Sequence, residues 1–117
     1  MLFLEYPPCS TCQKARKWLE ERNIPFSARH IKNENPTYEE LKVWYTSSGL
    51  PLKKFFNTSG LVYKALNLKE KLPTMTEEEQ LQLLATDGML VKRPLIIMEN
   101  GTVLTGFREK EWESALL

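Results

Sequence analysis

Cys9 and Cys12, the two cysteines of the chain, stand three positions apart between a short apolar segment and an amphipathic one. No other feature limits the fold as much. Leu2-Phe3-Leu4-Glu5-Tyr6 is apolar and aromatic, and Pro7-Pro8 stops it, so it reads as a buried strand. A helix follows at once. Ser10, with Gln13 three residues later, has the form of a capping box. Cys12, Ala15 and Leu19, with Trp18 beside them, make one apolar stripe, which Asn23 and Pro25 end. Phe26 to Ile31 reads as the next strand. Strand, helix, strand within about thirty residues is a βαβ unit, and a C-x-x-C pair at its first turn reads as a redox motif.

The middle of the chain is helical. Thr37 and Glu40 form a capping box, Tyr38, Leu41, Trp44 and Tyr45 share a face, and Gly49 then Pro51 close that helix. Leu52 to Phe56 is expected to form one helical turn, Asn57-Thr58-Ser59-Gly60 a loop, and Leu61 to Leu66 a short helix. Thr76 and Glu79 cap a further helix that carries Leu81 and Leu84 and ends near Asp87-Gly88. After Arg93-Pro94, Leu95-Ile96-Ile97-Met98 reads as a strand. Asn100-Gly101 signals a type I′ hairpin into Thr102-Val103-Leu104. Glu109 to Leu117, with Trp112 and Leu116 inward, makes a terminal helix. The hairpin extends the sheet begun by the first two strands. The expected fold is α/β: a thioredoxin-like (glutaredoxin-like) four-stranded mixed sheet with a helical insertion, one domain over 1–117.

The chemistry wants the cysteines where this reading puts them. A thiolate is the nucleophile, and the free amides and positive dipole end of a helix N-terminus favour negative charge. Cys9 is then the exposed attacking thiol. Cys12, one turn on, resolves a mixed disulfide by attacking the Cys9 sulfur. Cys9 is accordingly expected to be the more acidic and more exposed of the two. Arg93-Pro94 is the second candidate. In this fold its loop faces the Cys9 turn with Pro94 cis, and Arg93 steadies the thiolate or an anionic substrate. The competing reading of Arg93 is an ordinary surface arginine.

Composition removes several other classes. A formal net charge of +1 leaves no overall field to attract nucleic acid or an anionic membrane. No apolar stretch approaches the ~20 residues that span a bilayer, and the N-terminus has no basic region of a signal peptide. The expected compartment is the cytoplasm. With His30 the single histidine, a metal site within one chain lacks ligands, and His30 reads as structural. Lys14-Ala15-Arg16-Lys17, Lys53-Lys54 and Lys69-Glu70-Lys71 read as solvated faces, and Trp18, Trp44 and Trp112 as core. Phe55-Phe56 either lines the rim of the site or anchors the insertion.

With these elements placed, the sequence resembles the family that joins ArsC-type arsenate reductases with the Spx regulators. The resemblance rests on Tyr6-Pro7-Pro8-Cys9-Ser10-Thr11-Cys12-Gln13-Lys14-Ala15, on Leu52 to Gly60, and on Asp87-Gly88-Met89-Leu90-Val91-Lys92-Arg93-Pro94. In the reductase branch it implies a cysteine that attacks arsenate, three arginines that hold the oxyanion, and electrons from glutathione with glutaredoxin. No bound cofactor is implied, and thioredoxin is an alternative electron donor. Cys9 matches the nucleophile and Arg93 the middle arginine. The first arginine position falls at Asn57, the last near Gly106 with Arg108 displaced from it, and a family histidine is Glu5 here. Ser10, Thr11, Asn57, Pro94 and Arg108 are the substrate-loop candidates. The resemblance implies a thiol reductant protein or a disulfide substrate as partner. In the Spx branch the thiol pair is a redox switch. The partner there is the C-terminal domain of the RNA polymerase alpha subunit, with Gly49 matching a contact glycine.

Overall fold

The computed structural model covers residues 1–117. β1 (Leu2–Glu5), α1 (Ser10–Glu21) and β2 (Ser27–His30) form the expected βαβ unit, with β1 and β2 parallel. β1 also pairs antiparallel with β3 (Leu95–Ile97), which pairs antiparallel with β4 (Val103–Thr105). The result is one mixed sheet of order β2-β1-β3-β4. Because side chains alternate along a strand, β1 divides the core. Leu4 faces a cluster with Leu95, Val103 and the helical insertion, while Phe3 faces one with Ile96, Ala15, Leu19 and Trp112. α1 and α6 (Glu109–Leu116) therefore cover one side of the sheet.

The insertion covers the other side. It comprises α2 (Tyr38–Ser48), a 3₁₀ turn at Leu52–Phe55, α3 (Leu61–Ala65), α4 (Leu68–Lys71), a 3₁₀ turn at Leu72–Thr74, and α5 (Glu77–Leu84). Thr37 and Thr76 cap α2 and α5 in complete capping boxes, as read from the sequence. A further 3₁₀ turn, Gly88–Leu90, leads toward β3. Gly88 is forced there by close approach: a Cβ on it would lie 1.8 Å from the Ile31 carbonyl oxygen.

Four details differ from the sequence reading. Ser10 does not cap α1; the cap position is Cys9, and the Gln13 amide donates instead to the Pro7 carbonyl at 2.9 Å. The hairpin is not type I′. That turn needs positive φ at both central residues, but Gly101 has φ +91° while Asn100 is not in that region. Gly101 N–H donates to the Met98 carbonyl and Met98 N–H to the Thr102 carbonyl, which makes a three-residue loop with the glycine left-handed. α4 and the turn after it went unread because the charges of Lys69-Glu70-Lys71 hide Leu68 and Leu72, an i, i+4 pair that is buried. Arg16 leaves the solvated face of α1 and bonds the buried Glu5 carboxylate at 2.6 Å.

Candidate active site

Pro7 and Pro8 turn the chain sharply out of β1, and Cys9 N–H donates back to the Tyr6 carbonyl at 2.9 Å. This turn delivers Cys9 to the cap position of α1 in extended geometry, with no side-chain cap and no acidic residue in the first helical turn. The first amides of a helix lack intrahelical acceptors. Here they meet sulfur. Burial works against ionising Cys9. The Cys12 N–H, the Arg93 guanidinium, the Cys12 thiol and the Thr11 N–H more than offset it, and the thiol is held below its usual range. The Cys12 and Thr11 amides thus favour negative charge on a sulfur that stands at the cap position without capping the helix.

Cys12 sits one turn on in a contrasting setting. It is fully buried, and Tyr6 N–H donates to its sulfur at 3.5 Å. Burial pushes its pKa up to about 12; the Tyr6 amide opposes that, and the neighbouring charge on Cys9 adds to it. The two thiols are both reduced, one half-exposed and acidic, the other buried and protonated. Such a pair has the chemistry for thiol–disulfide exchange, which uses an ionisable attacking sulfur and a second thiol within reach of it.

Arg93 reaches this turn through a short zipper of backbone. Asn57 N–H donates to the Leu90 carbonyl and Lys92 N–H to the Phe55 carbonyl, each at 2.8 Å, around a bridge between Phe56 and Val91. Phe55 and Phe56 are buried at 0% and 1% exposure, so the aromatic pair anchors the insertion, and Phe56 also borders the site. The Arg93-Pro94 bond is cis, and Gly106 N–H donates to the Pro94 carbonyl. The Arg93 guanidinium carbon lies 5.0 Å from the centre of the Tyr6 ring. Its Nε and one Nη are buried and make no hydrogen bond. Buried donors of this kind ordinarily have partners, so the guanidinium is set to receive an anion.

Cys9 and Arg93 open onto one cleft of about 940 Å³. Thr11, Asn57 and Arg108 border it as well; Ser10, which is exposed, and Pro94, which is buried, do not line it. The sequence reading missed Lys53, Lys54 and Lys92, which line the cleft with Arg93 and Arg108 against one carboxylate, Glu111. Lysines of a short turn and of a bridge carry no periodic signal that separates a lined cleft from solvent. Tyr6 was also missed, although it directly precedes Pro7-Pro8-Cys9; its ring lies against the Arg93 guanidinium and its amide donates to the Cys12 sulfur. His30 is structural: its Nδ1 accepts from the Lys32 and Asn33 amides. No three His, Cys, Asp or Glu side chains converge to hold a metal ion, and no helix is long and apolar enough to cross a membrane.

Comparison with known proteins agrees with this architecture. The ArsC family model matches residues 4–115. The uncharacterized protein YusI of Bacillus subtilis is 55% identical over 97% of this chain and 95% of its own. The global transcriptional regulator Spx of Enterococcus faecalis is 34% identical over 90% of this chain and 77% of its own. The crystal structure of an ArsC family related protein from Bacteroides fragilis superposes with a TM-score of 0.93 at 65% identity, covering 97% of this chain and 94% of that one.

Proposed function

The chain belongs to the ArsC family, and within it we propose that the protein is a thiol–disulfide oxidoreductase with Cys9 as nucleophile and Cys12 as resolving thiol. The observation that carries this reading is the opposed state of the two sulfurs, one acidic at an open helix end and one held protonated to about 12. In the forward step the Cys9 thiolate attacks a disulfide sulfur of the substrate. One S–S bond breaks, a mixed disulfide forms, and the departing thiolate takes a proton from solvent. Cys12 then loses its proton and attacks Cys9, which releases the second substrate thiol and leaves Cys9–Cys12 oxidised. Two electrons have moved from the pair to the substrate. A thiol donor (glutathione with glutaredoxin, or thioredoxin) returns them.

Arsenate turnover is expected to be weak or absent. Arg93 is the one arginine beside the thiol, Asn57 is neutral, Gly106 has no side chain, and Arg108 is exposed and near Glu111 at 3.9 Å. Each missing charge-assisted bond removes roughly 1.5–3 kcal/mol from an oxyanion cradle. The test pairs two assays on one preparation: reduction of a neutral small disulfide, and arsenate-dependent NADPH oxidation with glutathione, glutathione reductase and glutaredoxin. Disulfide reduction without arsenate turnover supports the reading. Arsenate turnover within tenfold of an authentic reductase overturns it.

The likeness to Spx favours a second reading, a redox-sensing regulator that binds the RNA polymerase alpha C-terminal domain. Gly49, left-handed and exposed at the end of α2, is where that contact would fall. Binding of purified alpha C-terminal domain to the oxidised protein decides between the two.

A further inference from the structure

The cleft is larger and more one-sidedly charged than a small oxyanion requires. Five cationic side chains (Lys53, Lys54, Lys92, Arg93 and Arg108) face the single carboxylate of Glu111, on a chain whose net charge is +1. Its volume of about 940 Å³ is at the upper end of the range of small-ligand pockets. Backbone adds a third feature. In the β3–β4 ladder, Gly106 N–H donates to Pro94 and Met98 N–H to Thr102. The bonded pairs of an antiparallel ladder alternate, so Leu104 faces β3, while Val103 and Thr105 turn their peptide groups to the open edge of the sheet. Val103 is packed under cover at 6% exposure. Thr105 is partly exposed, borders the cleft, and neither its N–H nor its carbonyl has a partner within the protein. Thr105 neighbours Gly106, whose amide bonds Pro94, and Pro94 follows Arg93. The free peptide edge therefore lies within a few residue lengths, at ~3.3 Å each, of the loop beside the reactive sulfur.

From this juxtaposition we propose that the cleft is a docking groove for an extended acidic polypeptide segment that presents a disulfide-bonded cysteine to Cys9. The segment's backbone pairs with the free edge at Thr105. Its carboxylates meet Lys53, Lys54, Lys92 and Arg108, and its sulfur is placed for attack. Strand addition at an open edge supplies affinity without sequence demand, and the charges supply selectivity and a faster approach. The inference rests on the exchange chemistry proposed above and names its substrate class.

The experiment uses the full chain with Cys12→Ser, so that Cys9 stops at the mixed disulfide. Short peptides of one length, acidic, neutral or basic around a single cysteine carrying a nitrothiobenzoate leaving group, are compared by release of that group at low salt. Neutral hydroxyethyl disulfide and anionic glutathione disulfide, which carry no such group, are run beside them and followed by the mass gained on Cys9. The acidic peptide is expected to react about tenfold or more faster than the basic one, with the gap closing as salt rises. Lys53→Glu with Lys54→Glu is expected to erase most of that ratio, each rate being divided by the same variant's rate with the neutral disulfide. The same charge change on α4, Lys69→Glu with Lys71→Glu, is expected to preserve it. Equal rates for the three peptides overturn the proposal, as does a preference that survives in the Lys53, Lys54 variant. A preference shown equally by glutathione disulfide overturns the polypeptide part, since charge alone then suffices. Failure of the neutral disulfide to react at all sinks the exchange chemistry and this inference with it; a reacting neutral disulfide with no peptide preference sinks the inference alone.

Discussion

At the start of α2, the Thr37 hydroxyl accepts from Glu40 N–H at 3.1 Å and the Glu40 carboxylate accepts from Thr37 N–H at 3.0 Å. α5 repeats the arrangement with Thr76 and Glu79. α1 opens on Cys9 with no side-chain oxygen in either role and no acid in its first turn. The capped ends spend their donors on stability of the insertion. In the proposed exchange reaction the open end keeps its donors for a charge that comes and goes on Cys9. The difference is local to one residue: an oxygen at the cap position accepts permanently, while a sulfur accepts strongly only when ionised. What distinguishes the reactive end of this molecule is therefore a missing cap as much as a present cysteine.

Turning the open end into a capped one should produce the largest effect. Cys9→Asp puts a permanent acceptor on the α1 amides and beside Arg93. Disulfide exchange is expected to fall to background, while urea unfolding shows a gain of about 0.5–1 kcal/mol. Unchanged or reduced stability would mean that the α1 amides were not open donors. Next in size is Arg93→Met. The Arg93 guanidinium is one of the groups that hold the Cys9 thiol below its usual range, so the midpoint of Cys9 alkylation by iodoacetamide should rise when that charge is removed. In the parent protein, Cys9 labelling should saturate as pH rises past its lowered value, with Cys12 unlabelled because its pKa is about 12. Arg93→Lys should restore part of the shift. An unmoved midpoint would assign the acidity to the helix end alone.

Acid probes the capped side of the comparison. The Arg29 guanidinium, 2.7 Å away, is the main cause holding Glu40 at about 2; burial opposes it and the Thr37 N–H adds to it. The folded value is depressed, so this stabilisation is complete above the ordinary carboxylate value of ~4.3 and is lost as pH falls toward 2. Discounted for its partial exposure, it amounts to about 1–2 kcal/mol. Glu40→Gln is expected to flatten the stability profile over that window; an unchanged profile would remove the pair from the acid response.

The sequence disclosed most of this fold because each element carried its own local signal. The capping boxes at Thr37 and Thr76, the apolar stripe from Cys12 to Leu19 and the apolar run of Leu2-Phe3-Leu4 that Pro7-Pro8 stops act over a few residues and do not depend on the rest of the chain. The Cys9 turn and Arg93 were legible for the same reason, from their positions before a helix and before a strand. Lys53, Lys54 and Lys92 were not. What brings them to the thiol is the bridge between Phe56 and Val91 and the hydrogen bonds flanking it, contacts between segments more than thirty residues apart that leave no pattern in either segment. The salt bridge of Arg16 to Glu5 was hidden likewise, since it joins α1 to the strand beneath it.

Two smaller substitutions finish the comparison. Thr37→Ala removes a formed cap and is expected to cost about 1 kcal/mol in urea unfolding, with disulfide exchange unchanged. Ser10→Ala tests the cap that the sequence displays and the structure lacks. Ser10 and Gln13 have the spacing of a capping box, and if they formed one, losing the hydroxyl would cost as much as at Thr37. In the structure Ser10 is the first helical residue rather than the cap, its side chain is exposed, and Gln13 is bonded to Pro7. Alanine also has the better helix propensity at that position. The expected change is therefore within about 0.5 kcal/mol of zero, with the Cys9 alkylation midpoint unmoved because Ser10 donates nothing to the sulfur. A cost near that of Thr37→Ala, or a shifted midpoint, would return the cap to Ser10 and move Cys9 out of the position on which its acidity rests.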